Sequence, residues 1–214
     1  MDTTDLDFTQ AIVQDAIRSG VYTVLPAKVT NVSQFNSQQV INAVPLIGRR
    51  YEDGTYLEPQ EIYNIPVMFP SAGGGILSFP IKKDDGVLLL FSMRDLDNWE
   101  DSNGVDTLPP YSSRNHAMTD AIAIAGLYTK NNNLHPNPTD VEIKFAGSSI
   151  KMKPNGDVVE DVFKDKILNI PNGSLKINTP SILHNDVEIG ETHYHEQAND
   201  SDGNTQEDTE HVFR

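Results

Sequence analysis

The stretch Asp84-Asp85-Gly86-Val87-Leu88-Leu89-Leu90-Phe91 begins with residues that favour a tight turn and continues as an uninterrupted apolar run. Such a run after a turn signal predicts a strand, the most deeply buried of its sheet. Segments of the same texture surround it: Val21 to Val32, Val40 to Ile47, Ile62 to Phe69, Ile76 to Ile81, then Val87 to Met93 itself, and Ala117 to Leu127. All are rich in β-branched and apolar residues and are bounded by Gly, Pro, Asn or Asp. Five or six short strands in about 110 residues predict a small β-barrel or sandwich over residues 21–130. Gly73-Gly74-Gly75 reads as a flexible turn, because neither the Lys-Ser/Thr pair nor the helix pattern of a phosphate loop follows it.

Upstream, Phe8, Ile12 and Ala16 recur at four-residue spacing with Val13 and Ile17 alongside, Asp5 and Asp7 sit in the first turn, and Gly20 follows. That pattern predicts one helix over residues 1–20, free to dock on a partner or to cover its own domain. Downstream, Asn131-Asn132-Asn133 with Pro136 and Pro138 marks a polar linker at 131–139. Beyond it Val141, Ile143 and Phe145 alternate, as do Ile150 and Met152, Leu175 and Ile177, and Val187 and Ile189. Turn signals separate them: Gly147-Ser148, Pro154-Asn155-Gly156, Pro171-Asn172-Gly173 and His184-Asn185-Asp186. Each segment has one apolar face and is too short to build a core alone. Residues 140–190 therefore either wind with identical chains, burying the apolar faces along a common axis, or form a sheet packed on the barrel.

His193-Tyr194-His195 follows this tract directly, within a terminal segment 191–214. Residues i and i+2 of a strand point to one face, so an extended Thr192 to Glu196 aims both imidazoles at one axis. One chain then supplies two ligands, whereas closed metal sites need about four to six. The pair is incidental, completed by distant groups, or completed by symmetry. Three copies on a three-fold axis give six imidazole nitrogens, an octahedral set that suits iron, nickel or cobalt better than tetrahedral zinc.

Composition narrows the classes. The chain of 214 residues has no Cys, which excludes disulfides and thiolate metal sites. No apolar run approaches the roughly 20 residues of a membrane span, and Met1 to Asp7 is acidic rather than a basic signal region. Synthesis and assembly in a cytoplasm are expected. A formal charge of −15, from 31 acidic against 16 basic residues, repels a phosphate backbone, and nucleic acid is not an expected partner.

The stretch Asp84 to Phe91, with Arg94, Leu96-Asp97 and Trp99 after it, resembles the core of the OB-fold domain in central spikes of contractile-tail phages. So does Arg114-Asn115-His116 leading to Asp120-Ala121-Ile122-Ala123-Ile124-Ala125-Gly126. The order of parts is also similar over nearly the whole chain. The resemblance implies an all-β protein with an N-terminal helix, an OB-fold-like barrel, an intertwined trimeric β-helix at 140–190 and a metal-bound apex. At that apex His193 and His195 of three chains would ligate one iron. The polar segment Gln197 to Arg214 departs from the pattern. The implied function is that of a nonenzymatic homotrimeric spike in the virion, at the tip of the tail baseplate. It would be held by a baseplate hub protein and would pierce the host outer membrane during contraction. About six stacked strand segments per chain at ~4.8 Å make a shaft of roughly 30 Å, comparable to the hydrocarbon core of a bilayer.

Other readings are weaker. An adhesin-type or carbohydrate-binding tail spike is the alternative. A cupin-like enzyme uses His-x-His but wants a downstream Glu and His in a continuing barrel, and only His211 follows. His116 beside Asp120 suits a structural hydrogen bond better than acid-base chemistry, because no nucleophile accompanies the pair.

Overall fold

Five strands close on one another as a barrel: β1 (Val24–Asn31), β2 (Val40–Pro45), β5 (Ile62–Met68), β9 (Ala121–Ala125) and β8 (Gly86–Phe91), with β8 returning to β1. The structure is a computed structural model and describes residues 20–189 together with residues 9, 10, 13, 199 and 201–203. Neighbouring barrel strands run antiparallel except β5 and β9, whose parallel pairing of Val67 with Ala123 closes the ring. Closure leaves no free edge, and the five-stranded arrangement is OB-like. Short hairpins decorate it: β3 (Arg49–Arg50) pairs with β4 (Tyr56–Leu57), and β6 (Ser71–Ala72) with β7 (Gly75–Ile76). Single helical turns, α1 (Phe35–Gln38) and α2 (Asp97–Glu100), sit in the connections β1–β2 and β8–β9.

The apolar run 87–91 lies where its texture requires. As β8 it pairs with β1 on one side and β9 on the other, and Val87, Leu89 and Phe91 point into the core beside Val29, Ile41, Ile65 and Ala123. Leu88 and Leu90, on the other face, are half-buried, which accounts for a continuous apolar run in place of strict alternation. The tight turn before it is present. Asp84, not Gly86, takes the positive φ, at 74°, and Asp84 N–H and Asp85 C=O fasten the turn to Val29 of β1. Gly86 is a strand residue whose missing side chain admits the Leu127 carbonyl: a Cβ there would lie 2.0 Å from that oxygen.

One expectation is corrected. Ile76 to Ile81 is not a barrel strand. Pairing stops at Ile76, Leu77 N–H bonds back to the Pro70 carbonyl, and Pro80, without an N–H, cannot continue a ladder. Ile81 still reaches the core. Gly73-Gly74-Gly75 forms the β6–β7 hairpin, with Gly73 and Gly74 at φ 57° and 84°, both positive as a primed two-residue turn demands. Upstream, Thr9, Gln10, Val13 and Gly20 are helical, and the other positions on which the helix reading rests lie outside the described residues.

The chain divides into two units, Met1–Pro138 and Thr139–Arg214. The second contains the meander β10 (Val141–Phe145), β11 (Ser148–Met152) and β12 (Val158–Asp161), and the hairpin β13 (Leu183–His184) with β14 (Val187–Glu188). Turns fall at the expected signals. Ala146 and Gly147 have positive φ between β10 and β11, Gly156 between β11 and β12, and Asn185 and Asp186 between β13 and β14. Leu175 and Ile177 alternate as a strand would, yet residues 162–182 hold no strand, and no described strand pairs with them.

Gly86→Ala should lower barrel stability by about 2 kcal/mol or more, the cost of forcing a methyl group against fixed backbone. Urea denaturation followed by barrel circular dichroism measures this. A change within ~0.5 kcal/mol, the range of an innocuous surface substitution, would contradict the close approach of Leu127.

Candidate functional site

The second unit carries an amphipathic sheet that the chain leaves open. Cross-strand register puts Val141 opposite Met152, Met152 opposite Val158, and Ile143 opposite Ile150. These residues, with Phe145, share one face. Glu142, Lys144, Lys151 and Asp161 occupy the other, where Lys151 meets Asp161 at 2.7 Å and Lys144 meets Glu142 at 3.5 Å. The Lys151 hydrogen bond and charge hold the Asp161 carboxyl below its usual range. The apolar face has no such partners. Phe145 is 65% exposed, Val158 65% and Phe163 70%, and every buried apolar side chain among the described residues belongs to the barrel. One charged group interrupts this face: Glu160, opposite Ile150, is paired with Lys166.

The same exposure continues past the meander. Ile167, Leu168, Leu175, Ile177, Leu183, Val187 and Ile189 are all exposed. A monomeric protein rarely leaves so many contiguous apolar groups in water, and those that do so use them for association.

The barrel carries a different cluster, built on the loop between β8 and β9. Asp95 and Asp120 are buried, Asp97 is half-exposed, and their carboxylates converge within 4.8 Å. A divalent cation could use such a set, but the Arg114 guanidinium already fills that role. It lies 2.9 Å from Asp120, 2.8 Å from Asp97 and 3.3 Å from Asp95. Backbone N–H groups complete the set: Leu96 donates to Asp120 at 3.2 Å and Asp97 to Asp95 at 2.9 Å. Ser112 donates to the other oxygen of Asp95. The Ser112 hydrogen bond, then the Asp97 amide and the Arg114 charge, depress the Asp95 carboxyl. Burial and the surrounding carboxylates push Glu100, on α2, upward. With every buried acceptor satisfied, the arrangement ties the loop to the barrel and leaves no open coordination position.

His116 does not bond Asp120. Its Nδ1 lies 3.1 Å from the Tyr22 carbonyl, while Asp120 is engaged by Arg114 and Leu96. His193 and His195 lie outside the described residues. The Arg114 cluster could not be read from spacing, since Asp95 looks like any loop acid. Arg114 and Asp97 entered the sequence argument only through family resemblance, and Asp120 otherwise only as a neighbour of His116.

Residues 25–126 match the family described as Phage protein Gp138 N-terminal domain. The matched region spans all five barrel strands, and the match indicates a phage protein. No curated protein is significantly similar to the chain.

Arg114→Met should lower the denaturation midpoint of the barrel more than Asp97→Asn, since it strands two buried carboxylates where the latter removes one half-exposed acceptor. The reverse order would contradict the role given to Arg114. A depressed carboxyl stabilises the fold above its ordinary value of 3.8 and loses that contribution as pH falls through the lower folded-state value. The difference in midpoint between the parent chain and Ser112→Ala should therefore shrink on acidification below that value; a constant difference would show that Ser112 acts by packing alone.

Proposed function

We propose that the chain is the homotrimeric central spike of a contractile-tail phage baseplate, which pierces the host outer membrane when the tail contracts. One observation carries this reading: the second unit exposes a row of apolar side chains on one face of short strands and buries none among the described residues. Identical chains winding about a common axis would cover that face and supply ladder partners for Leu175 and Ile177. The charged face would then look outward. The phage-domain match on the barrel supports a tail or baseplate role and a place in the virion.

In this reading the protein acts mechanically, not as an enzyme. Its partners are two copies of itself, a baseplate hub protein above and the host outer membrane in passing, and it is made in the bacterial host cytoplasm. Nucleic acid is not a partner, in keeping with the net charge of −15. At the apex, His193 and His195 of three chains would hold one iron. The donor set fits, because six neutral imidazoles complete an octahedron and leave no position for substrate. Such a metal would cross-link the three ends where fraying would otherwise begin.

Native mass should be that of a trimer, with about one third of an iron per chain. His193→Ala with His195→Ala should remove the metal and leave the trimer. Ile150→Asp, on the apolar face, should yield monomers, whereas Lys144→Ser, on the charged face, should not. A monomeric parent chain at micromolar concentration, or one metal per chain, would sink the corresponding part of the proposal.

A further inference from the structure

An ion pair stands on the apolar face of the second unit. Ile150 lies opposite Ile143 in one ladder and opposite Glu160 in the other, so the Glu160 carboxylate projects among the side chains that the proposed trimer covers. Lys166 reaches it from outside the strands. The chain turns back after β12, where Phe163 N–H donates to Ser148 Oγ at 3.1 Å and the Phe163 ring lies against Gly147. That path brings the Lys166 ammonium onto the Glu160 carboxylate, beside a groove of about 440 Å³ bordered by Ile143, Phe145, Ile150 and Val162.

Within one chain the pair adds little. The Glu160 side chain is 39% exposed and that of Lys166 52%, and ion pairs so open to water contribute weakly to stability. Between copies its position matters more, because the rest of the face is degenerate. Val141, Ile143 and Phe145 recur at every second residue, as do Ile150 and Met152, and Val158 and Val162 flank Glu160 at the same spacing. Sliding one copy past another by two residues, about 7 Å, therefore sets apolar against apolar again. Hydrophobic burial alone does not choose between a level, closed set of three and staggered sets that continue into open chains. The charges do. In the level set three acids and three bases come to one height, whereas a stagger presses each pair against a neighbour's aliphatic side chains, out of water. One acid and one base also make the face complementary to itself, which favours a second copy of this chain over a partner of strong net charge.

We propose that Glu160 and Lys166 form a register key, which holds copies of the second unit level with one another and excludes staggered arrangements, a role that rests on the trimeric reading above. A polar pair buried among apolar side chains costs stability and gains uniqueness, as a single polar residue does at the seam of a coiled coil. Its removal then has an effect opposite to the loss of an ordinary stabilising contact. With both charges replaced by apolar groups, association persists and its order is lost; with both charges reversed, order returns.

Native mass spectrometry of the full chain, combined with methyl NMR of Ile143 and Ile150, tests this. The parent chain should give a single trimeric mass and a single δ1 methyl resonance for each isoleucine. Glu160→Leu with Lys166→Leu should still associate at the same concentration, yet show several resonances for each isoleucine and masses that spread beyond three chains. Glu160→Lys with Lys166→Glu should return both readouts to those of the parent. The register key is overturned if the doubly apolar variant keeps one mass and one resonance per isoleucine, if it falls apart into monomers, or if the reversed pair stays heterogeneous. A monomeric parent chain is a different result: it removes the trimeric reading itself, and the key with it.

Discussion

Apolar side chains left exposed among the described residues govern the second unit. β10 and β12 each pair with β11 within the meander, yet the face bearing Val141, Ile143, Phe145, Ile150 and Met152 is exposed. The Ala146-Gly147 turn and the connection 153–157 fix the register, so the apolar set cannot change face without moving every charged residue to the opposite one. The remedy available to such a sheet is another surface of matching pattern. Under the proposed trimer, further copies of the same chain would provide one.

The barrel meets the opposite condition. Its ring is closed by the β5–β9 pairing, its core is filled from all five strands, and its longest loop is fastened by Arg114 to buried Asp95 and Asp120. Among the described residues this unit leaves neither its ring nor its core incomplete.

Much of this was legible in the residues because period and punctuation report local geometry. The run Val87 to Phe91 announced the central strand, and Pro154-Asn155-Gly156 and His184-Asn185-Asp186 announced hairpin turns. What escaped were effects of tertiary closeness. That Gly86 is required by the approach of the Leu127 carbonyl, and that Asp84 takes the positive φ of the turn, cannot be read from the turn signal itself. Ile76 to Ile81 has strand composition and is stopped by Pro80 and by a hydrogen bond from Leu77 to Pro70. The grouping of Asp95, Asp97, Asp120 and Arg114 follows from the path of the chain around the barrel, which no spacing encodes.

Amide hydrogen exchange on the chain tests the central claim most directly, because Leu175 and Ile177 have no ladder partner among the described residues. If copies of the chain wind together, their amides should exchange about as slowly as those of Val87 to Phe91 in the barrel and speed up on dilution toward the monomer. Exchange at the rate of an open loop, at concentrations where the barrel is fully protected, would contradict the intertwined shaft.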